Sequence, residues 1–165
     1  YIMLLRLKNK EYLIVDEFKF KCSIGKKGLK SKKTEGDHCT PIGVFKIGKV
    51  YYRPDRIKKP DTSLKTKKIT KNMGWCDDPY NKNYNKEIIL NKKNKGEKLF
   101  RKDNIYDILI IIEYNTKKIR KFKGSAIFIH LTKNYRPTEG CVALKKNDLL
   151  ILLKIINKNS KIKIC

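Results

Sequence analysis

The chain has 165 residues, enough for one domain with a real core and too few for two ordinary ones. Its 41 Lys and Arg against 16 Asp and Glu leave a net charge of +25, a field that favours anionic partners of any kind; composition bias across the whole chain produces the same count. There is no apolar run of about 18 residues for a membrane-spanning helix, and Cys22, Cys39, Cys76, Cys141 and Cys165 contain no CxxC pair and stand beside only two His, which supports neither a disulfide framework nor a zinc site.

Taken in chain order, residues 2–7, 11–15 and 18–24 are short apolar or alternating runs separated by turn signals, and they read as a meander closed by Gly25 and Gly28. The first run is too short for a secretory h-region. A charged connector over 30–34 leads to Pro41 and Gly43, and a further strand is expected over 44–50. Residues 51–98 carry Pro54, Pro60, Pro79 and Gly96 with little periodicity, and should be largely loop with one short strand at 88–90. A loop region of that length inside a domain is usually functional or mobile. It holds the only Trp, Trp75, in an aromatic and acidic cluster over 73–80, which either lines a cleft or plugs the core. Residues 106–114 and 126–131 read as the central strands, 147–156 as a helix with Asn147 as cap and Asp148 in its first turn, and 161–165 as a closing strand. The class is mainly β with short helices.

Residues 124–145 concentrate the chemistry. An apolar strand delivers His130, a turn with Pro137 and Gly140 reverses the chain, and Cys141 stands at its exit with a helix-like run behind it. A thiol is mostly protonated at neutral pH, so it attacks a carbonyl well only beside a base or a positive field. His130 supplies the base, and the flexible backbone at Gly140 aims the Cys141 amide at a developing oxyanion. A lone Cys is otherwise a small buried hydrophobe, yet a structural Cys has little reason to follow Gly in a turn. A backbone carbonyl is expected to hold one ring nitrogen of His130, since no nearby Asp is evident, and the Cys141 thiol is expected to titrate below a free Cys.

Two separated motifs, Thr40-Pro41-Ile42-Gly43-Val44-Phe45 and His130 with Thr138-Glu139-Gly140-Cys141-Val142, resemble those of the YkuD-type L,D-transpeptidases, over about residues 24–153. The resemblance implies a β-sandwich with one helix after the Cys, a single catalytic domain over 1–165, and a cleft region at 51–98. It further implies that Cys141 attacks a peptidoglycan stem peptide, that His130 is the base, and that amides near Gly140 and Cys141 hold the oxyanion. Trp75, Tyr135, Arg136 and Thr138 are the substrate-binding residues expected, with no metal and no cofactor. Glu139 stands where the usual motif has a second His, and Ala143 where it has Arg or Asn. Glu139 would oppose thiolate formation unless paired; Arg136 is either that partner or a clamp for a substrate carboxylate. Peptidoglycan stem peptides are the implied partner, in the periplasm or cell envelope although no export signal is visible. A monomer, at most peripheral to the membrane, and acylation by a carbapenem are also expected. A hydrolase on the same site, a carboxypeptidase or amidase, is the nearest rival. A basic nucleic-acid-binding module rests on charge alone, without any recognition helix, zinc finger or aromatic strand motif, so no specific nucleic acid is expected.

Overall fold

The computed structural model describes residues 2–165. Three strands, β1 (Leu4–Lys8), β2 (Tyr12–Val15) and β3 (Phe18–Ser23), form the expected meander. Its first turn, closed by Glu11 N–H donating to Lys8 O at 3.2 Å, places Asn9 and Lys10 both at positive φ, and the pairing of Lys8 with Tyr12 leaves three residues in the loop. Two short parallel strands, β4 (Leu29–Lys30) and β5 (Thr40–Pro41), stand apart as their own ribbon, and the long β6 (Gly43–Tyr52) follows. Residues 51–98 are more structured than their sequence suggests. They contribute β7 (Thr66–Lys68), β8 (Met73–Trp75), β9 (Glu87–Ile89) and β10 (Glu97–Lys98), strands of two or three residues that are too short to show a period. The remaining elements are β11 (Ile108–Ile112), β12 (Phe128–Leu131), β13 (Val142–Leu144), helix α1 (Lys146–Ile155) and β14 (Lys161–Ile164).

Strands β11-β12-β13-β3-β2-β1-β14-β6 run side by side, and β6 pairs back onto β11, so the sheet closes on itself with β7 attached outside β6. The sandwich implied by the resemblance is here one closed sheet. Closure leaves these strands without an open edge. Inside the ring lies an aliphatic core that includes Leu5, Leu13, Val50, Ile110, Ile129, Leu144 and Ile162, into which α1 inserts Leu149, Leu152 and Leu153. The helix begins one residue before the expected cap. Lys145 occupies the cap position without a side-chain bond, and Asp148 still lies in the first turn, where a negative charge suits the helix dipole. Between Cys141 and α1 stands β13, so the helix N-terminus is not the element that follows the Cys.

The run Ile-Leu-Ile-Ile-Ile of β11 is buried on both faces, which is why it does not alternate. Ile108, Ile110 and Ile112 face the interior of the ring, while Leu109 and Ile111 belong to a second core outside it, with Tyr51, Met73, Trp75, Leu99, Tyr106 and Phe128. A three-stranded sheet, β10-β8-β9, contributes to the cover over that second core. Among the described residues no helix is long and apolar enough to cross a membrane.

Candidate active site

Strand β12 pairs in parallel with β13, with Ile129 opposite Val142 and His130 opposite Ala143. Side chains alternate along β12, so Ile129 and Leu131 enter the ring while Phe128 and His130 face outward. Cys141, immediately before β13, is thereby brought to the start of β12. Its Sγ donates to Ala126 O at 3.2 Å and accepts from Phe128 N–H at 3.3 Å. The sulfur is tied to the same strand that carries the imidazole. Both residues line a single cavity of about 790 Å³.

His130 Nδ1 lies 2.8 Å from Leu131 O. A carbonyl only accepts, so Nδ1 carries the proton and Nε2 keeps its lone pair for the cavity. The Tyr106 ring packs edge-on against His130 at 5.2 Å and so restricts its tilt. Burial pushes the Cys141 thiol up to about 12, with Glu97 adding to the effect and Phe128 N–H opposing it. Burial likewise pushes the His130 imidazole down to about 4, against the pull of the Leu131 carbonyl. At pH 7 the pair is therefore a neutral thiol beside a neutral base. This reverses the lowered thiol expected from the sequence: the second core, assembled from distant segments, removes the water that would solvate a thiolate.

The turn that presents Cys141 is braced by Thr138. Its Oγ1 donates to Cys141 O at 2.6 Å and accepts from Gly140 N–H at 3.1 Å, while its backbone bonds to Ile24 O and Lys26 N–H. Thr138 spends its hydroxyl on the turn, and of the two amides expected at an oxyanion the one at Gly140 is already engaged. Gly140 has φ 148°, and a Cβ there would stand 2.8 Å from Cys39 O, so the position admits no side chain.

Arg136 lines the cavity and is exposed, but it is not the partner of Glu139. Glu139 pairs instead with Lys26 at 2.6 Å and with His38, and the Lys26 bond is the main cause that holds its carboxyl below the usual range. Tyr135 is half-buried under Lys21, whose Nζ sits 4.5 Å from the ring, and does not line the cavity. Trp75 is buried behind the cavity wall, edge-on to Phe128 at 5.2 Å and donating to Asn85 Oδ1 at 2.8 Å. It plugs the core next to Cys141 and does not line that cavity. The cavity also gathers Lys33, Glu35, His38, Glu97, Arg101 and Tyr106, none of which the sequence pattern tied to Cys141. Their signal is tertiary, apart from the Gly36-Asp37-His38 stretch beside the Thr40-Pro41 motif. Among the described residues no group of three or more His, Cys, Asp or Glu is arranged to hold a metal ion.

A Cys and a His thus share one cavity beside the parallel β12–β13 pair of a closed β-sheet. The model of the YkuD family, the L,D-transpeptidase catalytic domain, matches residues 3–164, and the chain belongs to that family. Two solved structures share the fold: the helical cell shape determining protein Pgp2 from Campylobacter jejuni, 17% identical with TM-score 0.52, and Bd1075 from Bdellovibrio bacteriovorus, 13% identical with TM-score 0.50. The first alignment covers 99% of this chain and 47% of the other, and the second covers 100% and 47%. The chain thus spans about half the length of either. No curated protein matches it.

Proposed function

We propose that the protein is a peptidoglycan L,D-transpeptidase of the cell envelope, working on stem peptides by cysteine acyl transfer. The observation that carries this is the placement of the His130 base, its Nδ1 fixed by Leu131 O, in one cavity with Cys141 in a domain of this family. Substrate binding competes with the Cys141 bond to Ala126 O. Nε2 of His130 takes the thiol proton as the sulfur attacks the carbonyl, the C–N bond breaks, and a thioester remains on Cys141. An amine of a second stem resolves it. Because both partners rest neutral, the thiolate forms during attack rather than before it.

Incubation with defined tetrapeptide muropeptides, followed by mass spectrometry, tests the reading. A cross-linked dimer is the expected product. Tripeptide alone moves the assignment to the hydrolase, in which water resolves the same thioester, and no product with either acceptor rejects both.

A further inference from the structure

The chain contains two histidines, and both line the cavity that holds Cys141. They differ in setting. His130 is 6% exposed and bonded to a backbone carbonyl, whereas the His38 side chain is 38% exposed and its Nδ1 faces the Glu139 carboxylate. Glu139 lies two residues from the nucleophile, where the usual motif of the family has a histidine. An imidazole is therefore returned to that neighbourhood from a segment about a hundred positions away.

The placement of His38 is built rather than incidental. Its backbone is left-handed, at φ 57°, a conformation that costs free energy and persists only where its surroundings enforce it. Lys27 N–H donates to His38 O at 3.0 Å, and a Cβ on Gly25 would stand 2.5 Å from that oxygen, so only glycine lets the segment approach. On the preceding side Asp37 accepts from Cys39 N–H at 3.0 Å and from Thr34 N–H at 2.8 Å, and it is paired with the buried Lys33 at 2.6 Å. The carboxylate is fixed as well, since Lys26 holds its other oxygen at 2.6 Å. Glu139, with Lys26 on its other oxygen, is the charged group paired with the imidazole, and Lys33, Glu35, Lys133 and Arg136 line the same cavity.

We infer that His38, as an imidazolium whose Nδ1–H is held by the Glu139 carboxylate, is a second catalytic residue: its Nε2–H gives a proton to the amine that leaves, and the neutral ring left behind takes one at Nε2 from the nucleophile that enters. The inference rests on the acyl-transfer reading and completes its proton inventory. In acylation the Cys141 proton moves to His130 Nε2, the C–S bond forms, the C–N bond breaks, and the departing nitrogen takes the His38 proton. In deacylation the incoming amine or water forms its bond to the carbonyl and returns a proton to His38. The C–S bond breaks, and the sulfur recovers its proton from His130. Both imidazoles end as they began. The division follows from exposure: the enclosed ring serves the enclosed sulfur, and the open ring serves the groups that come and go.

The leaving group separates this role from a structural one. An amine cannot depart from an amide without a proton, while a nitrophenolate departs from an aryl ester unaided. His38→Asn suits the test, because Asn tolerates the left-handed backbone; Glu139→Gln, at an exposed position, is the companion. Single-turnover acylation of Cys141 is followed by intact-protein mass spectrometry with a stem tetrapeptide and with a p-nitrophenyl ester of the same acyl group. His38→Asn is expected to slow the amide by about 10²- to 10⁴-fold and to leave the ester within about threefold of wild type. Glu139→Gln should give a smaller loss with the same dependence on leaving group. Equal losses on both donors, or no loss on either, overturn the inference while the acyl-transfer reading stands. If wild type acylates Cys141 with neither donor, that reading falls and takes this one with it.

Discussion

The two sides of the β11–β12 pair show how one sheet separates stability from chemistry. Inside the ring the core is mostly aliphatic, with Phe20 and Cys22 among it. Outside, the second core sets Tyr51, Trp75, Tyr106 and Phe128 among aliphatic residues, and three of these rings carry polar handles: Tyr106 OH donates to Glu97, Tyr51 OH to Glu87 at 2.6 Å, and Trp75 Nε1 to Asn85. Burial pushes the thiols of Cys22 and Cys141 alike up to about 12. What distinguishes Cys141 is therefore not a more acidic thiol. It shares a cavity with an imidazole whose Nδ1 is held by Leu131 O, and Cys22 does not.

The sharpest way to test that comparison is to remove each sulfur. Cys141→Ala should abolish turnover of muropeptides with the fold retained, whereas Cys22→Ala should cost stability and leave the turnover per folded molecule intact. Substantial turnover by Cys141→Ala would mean a different nucleophile. Next in size, His130→Gln is expected to slow acylation of Cys141 by about 10²- to 10⁴-fold, the usual contribution of a positioned base. Residual activity should lose its dependence on the protonation of His130, read from the pH–rate profile near pH 4.

The inner core is tested by Leu152→Ala. Leu152 is fully buried, so the cavity left behind should lower stability by about 2–5 kcal/mol in urea denaturation, with kcat unchanged below the melting transition. On the outer side, Thr138→Val removes the hydroxyl that bonds both Cys141 O and Gly140 N–H; it should cost about 1–3 kcal/mol of stability and lower kcat more than it raises KM. An unchanged kcat would show that the turn holds Cys141 without that brace.

The smallest effects are in pH dependence. Iodoacetamide alkylation of Cys141 should follow a pH profile displaced above that of the exposed Cys165, because burial disfavours the thiolate. A profile below that of Cys165 would mean a resting ion pair. His130 has its ordinary value of 6.5 in the unfolded chain and about 4 when folded, so between those values the unfolded chain binds more protons. Stability should then fall as the pH drops through that window, and the fall should be shallower in His130→Gln when melting temperatures are compared from pH 7 to pH 4.

The parts of this protein legible in its sequence are those whose cause is local. The meander, the continuous apolar run of β11, the helix near 147–156 and the closing strand follow from periodicity and turn residues a few positions apart. That Cys141 and His130 come to one place was legible for the same reason, since one turn joins them, and so was the carbonyl that holds the ring, because Leu131 is the next residue. Contacts across the chain decided the rest. Closure of the sheet depends on β6 finding β11, β7 forms by pairing with β6, β8, β9 and β10 help to cover the second core, and Trp75 became a core residue because Tyr51 and Phe128 enclose it. His38 reaches the cavity because the 24–40 segment packs on the turn around Gly140. The protonation of the dyad belongs to the same class: a thiol and an imidazole take their charge from the water left around them, and how much water is left is set by the packing of segments far apart in the chain.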